Sequence, residues 1–139
     1  MEIPRILIVD DEKDVRANFA TFLSKRITCE IIEKGDGKEV LDLIEREEFH
    51  VILLDQHMPG IDGFTILERL RQKASRTTVI VITGLGGAAL SHKVERLGGI
   101  YMAKPVSLKA LQLIIERELD KRGGCVRAAA GQADAVEGR

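Results

Sequence analysis

Five short apolar runs, each followed by a stretch of helical periodicity, constrain this chain more than any other feature. The runs are Ile6-Leu7-Ile8-Val9, Ile31-Ile32, Val51-Ile52-Leu53-Leu54, Val79-Ile80-Val81-Ile82 and Ile100-Tyr101-Met102. They are rich in Ile and Val, and the longest lack polar alternation. Strands buried on both faces of a parallel sheet have that pattern. Helical stripes fill the gaps: Val15, Phe19, Phe22 and Leu23; Val40, Leu41 and Ile44; Phe64, Leu67, Leu70 and Arg71; Leu90, Val94 and Leu97; Leu108, Leu111, Ile115 and Leu119. Gly35 and Gly37 mark one turn, and Gly60 and Gly63 bracket another. Gly98-Gly99 closes the fourth helix in the manner of a left-handed cap.

A β-α unit repeated five times implies parallel strands, right-handed crossovers and helices on both faces. The expected fold is therefore α/β: a five-stranded parallel sheet, doubly wound and flavodoxin-like. The expected strand order is 2-1-3-4-5, although alternation alone does not dictate the order. Near Gly123 the pattern stops. The remainder is rich in Gly and Ala and has no apolar face. Residues 1–122 are thus read as one domain and residues 123–139 as a flexible Gly/Ala-rich tail or linker.

Composition excludes several function classes. Basic and acidic residues nearly cancel, for a formal net charge of −1, so no global field favours nucleic acid or an anionic membrane. Cys29 and Cys125 have neither metal-ligand nor disulfide-framework spacing. The N-terminal apolar run is too short for a signal core, and no stretch approaches the roughly 20 apolar residues of a membrane span. A cytoplasmic, reducing setting is the expectation. His50, His57 and His92 are scattered and form no convergent zinc-type set. The basic run Arg69, Arg71, Lys73 and Arg76 has no interleaved aromatic residues and reads as a solvated face.

The chemistry is in the strand ends. In open parallel sheets, ligands meet the carboxyl ends of the strands. Asp10-Asp11 follow the first strand, Asp55 the third, Thr83 the fourth and Lys104-Pro105 the fifth. Chain order alone therefore aims three acids, a hydroxyl and an ammonium at one rim. A single acid there would be an ordinary loop residue or helix cap, as Asp62 is expected to be for the third helix. The combination points elsewhere. Close carboxylates repel unless a cation intervenes, and oxygen-only ligands suit Mg2+. An Asp beside Mg2+ can attack a phosphoryl group, and Lys104 and Thr83 could hold the remaining phosphoryl oxygens.

These residues resemble a known family: the CheY-like receiver domains of bacterial two-component response regulators. The resemblance runs from about Arg5 to Lys121. It rests on Ile6-Leu7-Ile8-Val9-Asp10-Asp11-Glu12, on Leu53-Leu54-Asp55-Gln56-His57-Met58-Pro59-Gly60-Ile61-Asp62-Gly63, on Val81-Ile82-Thr83-Gly84 and on Lys104-Pro105. It implies that Asp55 is the phosphoacceptor. Asp11 would ligate Mg2+ directly with Asp55 and the main-chain carbonyl of His57, and Asp10 would bind the ion's water shell. Lys104 would pair with the phosphoryl group, Thr83 would swing towards it, and Tyr101 would be the aromatic switch residue. The Lys104–Pro105 peptide bond is expected to be cis. Asp14, Asn18 and Phe22 would face the kinase.

The implied partner is a sensor histidine kinase or a phosphotransfer protein, with phosphorylation-dependent self-association and no direct nucleic-acid or membrane contact. The implied function is a phosphorelay receiver that catalyses only its own phosphorylation and dephosphorylation. Its surface of fourth helix, fifth strand and fifth helix would switch. The alternative is a receiver-like docking module indifferent to phosphate, against which the intact set of Asp11, Asp55, Thr83 and Lys104 argues. Four features depart from the commonest family pattern: Gln56, His57, the Gly84-Leu85-Gly86-Gly87 loop and Gly99. They bear on the lifetime of the phosphorylated state and the amplitude of the switch.

Overall fold

The computed structural model describes residues 3–85 and 87–123. Ten elements alternate along the chain: β1 (Arg5–Val9), α1 (Lys13–Ser24), β2 (Glu30–Lys34), α2 (Gly37–Arg46), β3 (Val51–Asp55), α3 (Gly63–Gln72), β4 (Thr78–Thr83), α4 (Ala88–Arg96), β5 (Ile100–Ala103) and α5 (Leu108–Asp120). The five strands form one sheet in the order β2-β1-β3-β4-β5, and every pairing is parallel. The expected fold and strand order are both observed.

Side chains alternate across the sheet, as the pleat requires. Leu7, Val9, Ile52, Leu54, Val79 and Val81 join the core cluster that also contains residues of α2, α3 and α4. Ile6, Ile8, Val51, Leu53, Ile80 and Ile82 join the opposite cluster with α1 and α5. The three central strands are therefore apolar on both faces, while the edge strands β2 and β5 are only half-buried.

Helix starts follow local side-chain chemistry. Asp36 accepts from the Lys38 amide, Asp62 from the Thr65 amide and Ser107 from the Ala110 amide, each supplying an orphan first-turn donor with an acceptor. Gly98 closes the turn after α4 at φ +73°, a conformation that costs glycine little. On α2, Leu43 takes a fully buried position and Leu41 only flanks the core, so the buried face is Val40, Leu43 and Ile44. Helix α4 is the most lightly seated, with Val94 its one fully buried residue. Full burial of an aliphatic side chain contributes about 1.5–3 kcal/mol, and on α4 Leu90 only flanks the core.

The basic run does not form a uniform solvated face. Arg69 makes a bidentate contact with Glu45 at 2.7 and 3.0 Å. Lys73 donates to the Ile44 carbonyl. Arg71 turns inward and donates to the carbonyls of Ser75, Thr77, Leu97 and Gly98. It joins the loop before β4 to the turn before β5. Beyond Gly123, the segment read as a tail or linker lies outside the described residues.

Candidate functional site

Parallel register brings the strand ends level. Val9 pairs with Leu54, Asp55 with Ile82, and Thr83 with Ala103. The residues that leave these strands must therefore meet at one rim. Asp10, Asp55 and Thr83 are 3%, 6% and 1% exposed, whereas Asp11 is open to solvent. Asp10, Asp11 and Asp55 each offer one carboxylate oxygen within 4.8 Å of the others. Lys104 Nζ lies 3.4 Å from Asp55 Oδ1. The Lys104–Pro105 peptide bond is cis.

Electrostatics at this rim is strained. Burial is the largest force raising the Asp10 carboxyl above its usual range, and the negative charges of Asp55 and Asp11 add to it. The Glu12 amide, which donates to Asp10 Oδ1 at 2.8 Å, and the Lys104 ammonium act in the opposite direction. One lysine against three clustered carboxylates leaves excess negative charge. An all-oxygen set of this kind fits a hard divalent cation such as Mg2+.

Thr83 Oγ1 accepts from the Leu85 amide at 3.0 Å, so its hydroxyl folds back on its own loop. The half-buried Tyr101 accepts, through its hydroxyl, from the Gly87 amide at 3.1 Å. On α1, Asp14 and Asn18 are exposed. Phe22 is half-buried against the core, and Arg26 stacks with its guanidinium carbon 3.8 Å from the ring centroid.

The turn after Asp55 is built to hold that residue. Met58 is buried in the core, and Asp62 caps α3 as expected. Gly63 is required by close approach: a Cβ there would lie 3.0 Å from the Asp55 carbonyl and 3.2 Å from Gln56 Cα. Gln56 is buried, and its side-chain oxygen accepts from the Phe64 amide at 2.9 Å. Gln56 is thus a second acceptor at the start of α3, a role its position beside Asp55 did not suggest.

Two site contacts escaped sequence reasoning. Arg16 Nη1 donates to the Asp10 carbonyl at 2.8 Å, and its Nε lies 3.5 Å from Glu33 Oε1. A Cβ at residue 35 would sit 2.6 Å from that same Nη1, so Gly35 gives the guanidinium its space. The pairing of Gly35 with an arginine on α1 was the only available signal. The second contact is His57 Nε2 to the Leu85 carbonyl at 3.1 Å, between the loops after β3 and β4.

Residues 6–116 match the response regulator receiver domain family. The chain belongs to that family. This receiver is 35% identical over 130 residues to a probable transcriptional regulator, ycf27, of Porphyridium aerugineum, covering 87% of this chain and 51% of that protein. It is 35% identical over 118 residues to the regulatory protein AtoC of Escherichia coli K12, covering 84% of this chain and 25% of that protein. The receiver thus spans about half, or less, of these relatives. Among solved structures it superposes with a TM-score of 0.80 on a CheY-like receiver domain protein from Methanospirillum hungatei, at 28% identity, covering 87% of this chain and 97% of the other. Membership implies phosphorylation-based signalling by a module that is not a classical enzyme. Receiver domains bind Mg2+ at an acidic pocket, and the acids gathered here are Asp10, Asp11 and Asp55. No described helix is long and apolar enough to cross a membrane.

Proposed function

We propose that this receiver accepts a phosphoryl group on Asp55 from a phosphohistidine of a sensor kinase or phosphotransfer protein. The observation that carries the reading is the meeting of Asp55 with Asp10, Asp11 and Lys104 at one rim. An Asp55 oxygen attacks phosphorus, the P–N bond to the donor imidazole breaks, and the imidazole leaves with the bond pair. Lys104, already 3.4 Å from Asp55, holds a phosphoryl oxygen. Asp11, Asp55 and the His57 carbonyl are the proposed ligands of Mg2+, with Asp10 on its water shell. Bound there, the ion would neutralise charge on the transferring group.

The output follows from the added charge. Thr83 exchanges the Leu85 amide for a phosphoryl oxygen, Tyr101 gives up the Gly87 amide and turns inward, and the α4-β5-α5 surface changes its contacts, including contacts with a second copy of the chain. Asp14, Asn18 and Phe22 form the docking face for the phosphodonor. Residues 1–122 form the receiver domain, with 123–139 as a flexible tail or linker, in a cytoplasmic protein.

Intact-mass measurement with Mg2+ and a small phosphodonor tests the chemistry. The expected result is a single phosphoryl adduct, lost in Asp55→Asn and without Mg2+. An adduct that persists in Asp55→Asn would overturn the assignment.

A further inference from the structure

The described residues of the loop between β4 and α4 make three polar contacts. Leu85 is 77% exposed, so its side chain adds little apolar anchoring. Its amide donates to Thr83 Oγ1 at 3.0 Å, and its carbonyl faces His57 Nε2 at 3.1 Å. A carbonyl only accepts, so the His57 ring donates through Nε2–H. Two residues on, the Gly87 amide donates to the Tyr101 hydroxyl at 3.1 Å. The helix that follows has only Val94 fully buried. Three hydrogen bonds, with Thr83, His57 and Tyr101, therefore tie this loop to its surroundings, beside the packing of Leu90 of α4 on the core.

Thr83 and Tyr101 already belong to the proposed switch. His57 comes from a different loop, two residues beyond Asp55, and grips the peptide group whose amide Thr83 holds. When Thr83 releases the Leu85 amide, the His57 bond still opposes displacement of Leu85. We propose that the His57 side chain is a latch that holds the β4–α4 loop in its resting position, and that the switch completes only when this bond is given up. This rests on the reading of Asp55 and Thr83 given above. His57 acts here as a positioning residue. Its ring does no chemistry on the phosphoryl group.

A latch that favours one of two states must change their ratio when removed. One partly exposed hydrogen bond shifts such a ratio by about two- to tenfold. The test uses His57→Ala, which deletes the donor, and His57→Gln, whose amide nitrogen can reach the site of the imidazole Nε2. Backbone NMR of the metal-free, unphosphorylated chain is compared with wild type saturated with Mg2+ and beryllofluoride. In His57→Ala, the resonances of Leu85, Gly87 and Tyr101 are expected to move part-way along the line from resting to saturated wild type. In His57→Gln they are expected to stay near resting wild type. Apparent beryllofluoride affinity at fixed Mg2+ should tighten about two- to tenfold in the alanine variant only, since a pre-shifted population lowers the cost of binding.

Resting resonances that do not move in His57→Ala, while wild type still responds to beryllofluoride, would overturn the latch and leave the switch intact. Equal shifts in the alanine and glutamine variants would also overturn it, because they would mark a local ring effect. Wild type that binds beryllofluoride with no change at Thr83 or Tyr101 would overturn the switch reading itself, and the latch with it.

Discussion

At the amino edge of the sheet, charges are tied into closed networks. Arg5 contacts Glu30 at 3.1 Å, Glu47 at 2.7 Å and the Glu48 carbonyl at 3.0 Å, and stacks over Phe49. Arg71 is inward-facing, and burial pushes its guanidinium below the usual range, with the Arg122 charge adding to the effect. Four carbonyls nonetheless surround it. At the carboxyl edge, Asp10, Asp11 and Asp55 crowd together with Lys104 as the cation beside Asp55. The same five strands meet stabilising contacts at one edge and clustered carboxylates only partly balanced by Lys104 at the other. Charge arranged for stability is satisfied within the fold. The acids at the carboxyl edge keep an excess of negative charge that a hard cation would balance.

The sharpest way to separate the two edges is Asp55→Asn. Phosphoryl incorporation from a small donor should fall by more than about 100-fold, since the nucleophile is gone. The urea-unfolding midpoint should stay at or above that of wild type, because one of the repelling charges has been removed. A large loss of stability would mean that Asp55 is a structural acid like those at the amino edge.

Arg71→Met should do the reverse. Four carbonyls lose a charged donor, and hydrogen bonds to charged groups are the stronger kind. Solvent access at this half-buried position softens the loss, so the expected cost is about 2–3 kcal/mol by equilibrium denaturation. The phosphorylation rate should stay within about twofold of wild type, because the two edges are far enough apart to act independently. A matching collapse in phosphorylation would join the edges into one coupled system.

The smallest effect sharpens the contrast. The Asp10 carboxyl is raised, chiefly by burial, so its favourable contribution to stability is present below the ordinary Asp range. That contribution is lost as pH rises through the raised value. In chelator, wild type should therefore lose stability across that window while Asp10→Asn does not. The variant should melt a few degrees higher at neutral pH, and the difference should shrink on acidification. Added Mg2+ should raise the melting temperature of wild type more than that of the variant, as preferential binding to the folded state requires. A variant that melts lower than wild type in chelator would show that Asp10 is net stabilising.

Much of the architecture was legible residue by residue. Strand and helix periodicity depends on neighbours two to four positions away, so the ten elements, the Asp62 cap and the Gly98 turn could all be read locally. The convergence of Asp10, Asp55, Thr83 and Lys104 followed from chain order, because parallel strands bring their carboxyl ends to one rim. The strand order did not follow from alternation alone.

Other features depended on elements meeting that no short-range pattern connects. Leu41 read as part of the apolar stripe of α2, but with the helix seated on the sheet it is Leu43 that is buried there. Arg71 read as solvated until the turn at Leu97 and Gly98 lay beside it, 26 and 27 residues away. Arg16 holds the Asp10 carbonyl beside the space that Gly35 leaves, and His57 reaches Leu85 across 28 residues. The sequence by itself determined which groups arrive at the rim, since backbone periodicity and chain order are local properties. Only the tertiary structure decided how those groups are held. A hydrogen bond between distant segments depends on a few tenths of an ångström of packing, which sequence spacing does not encode.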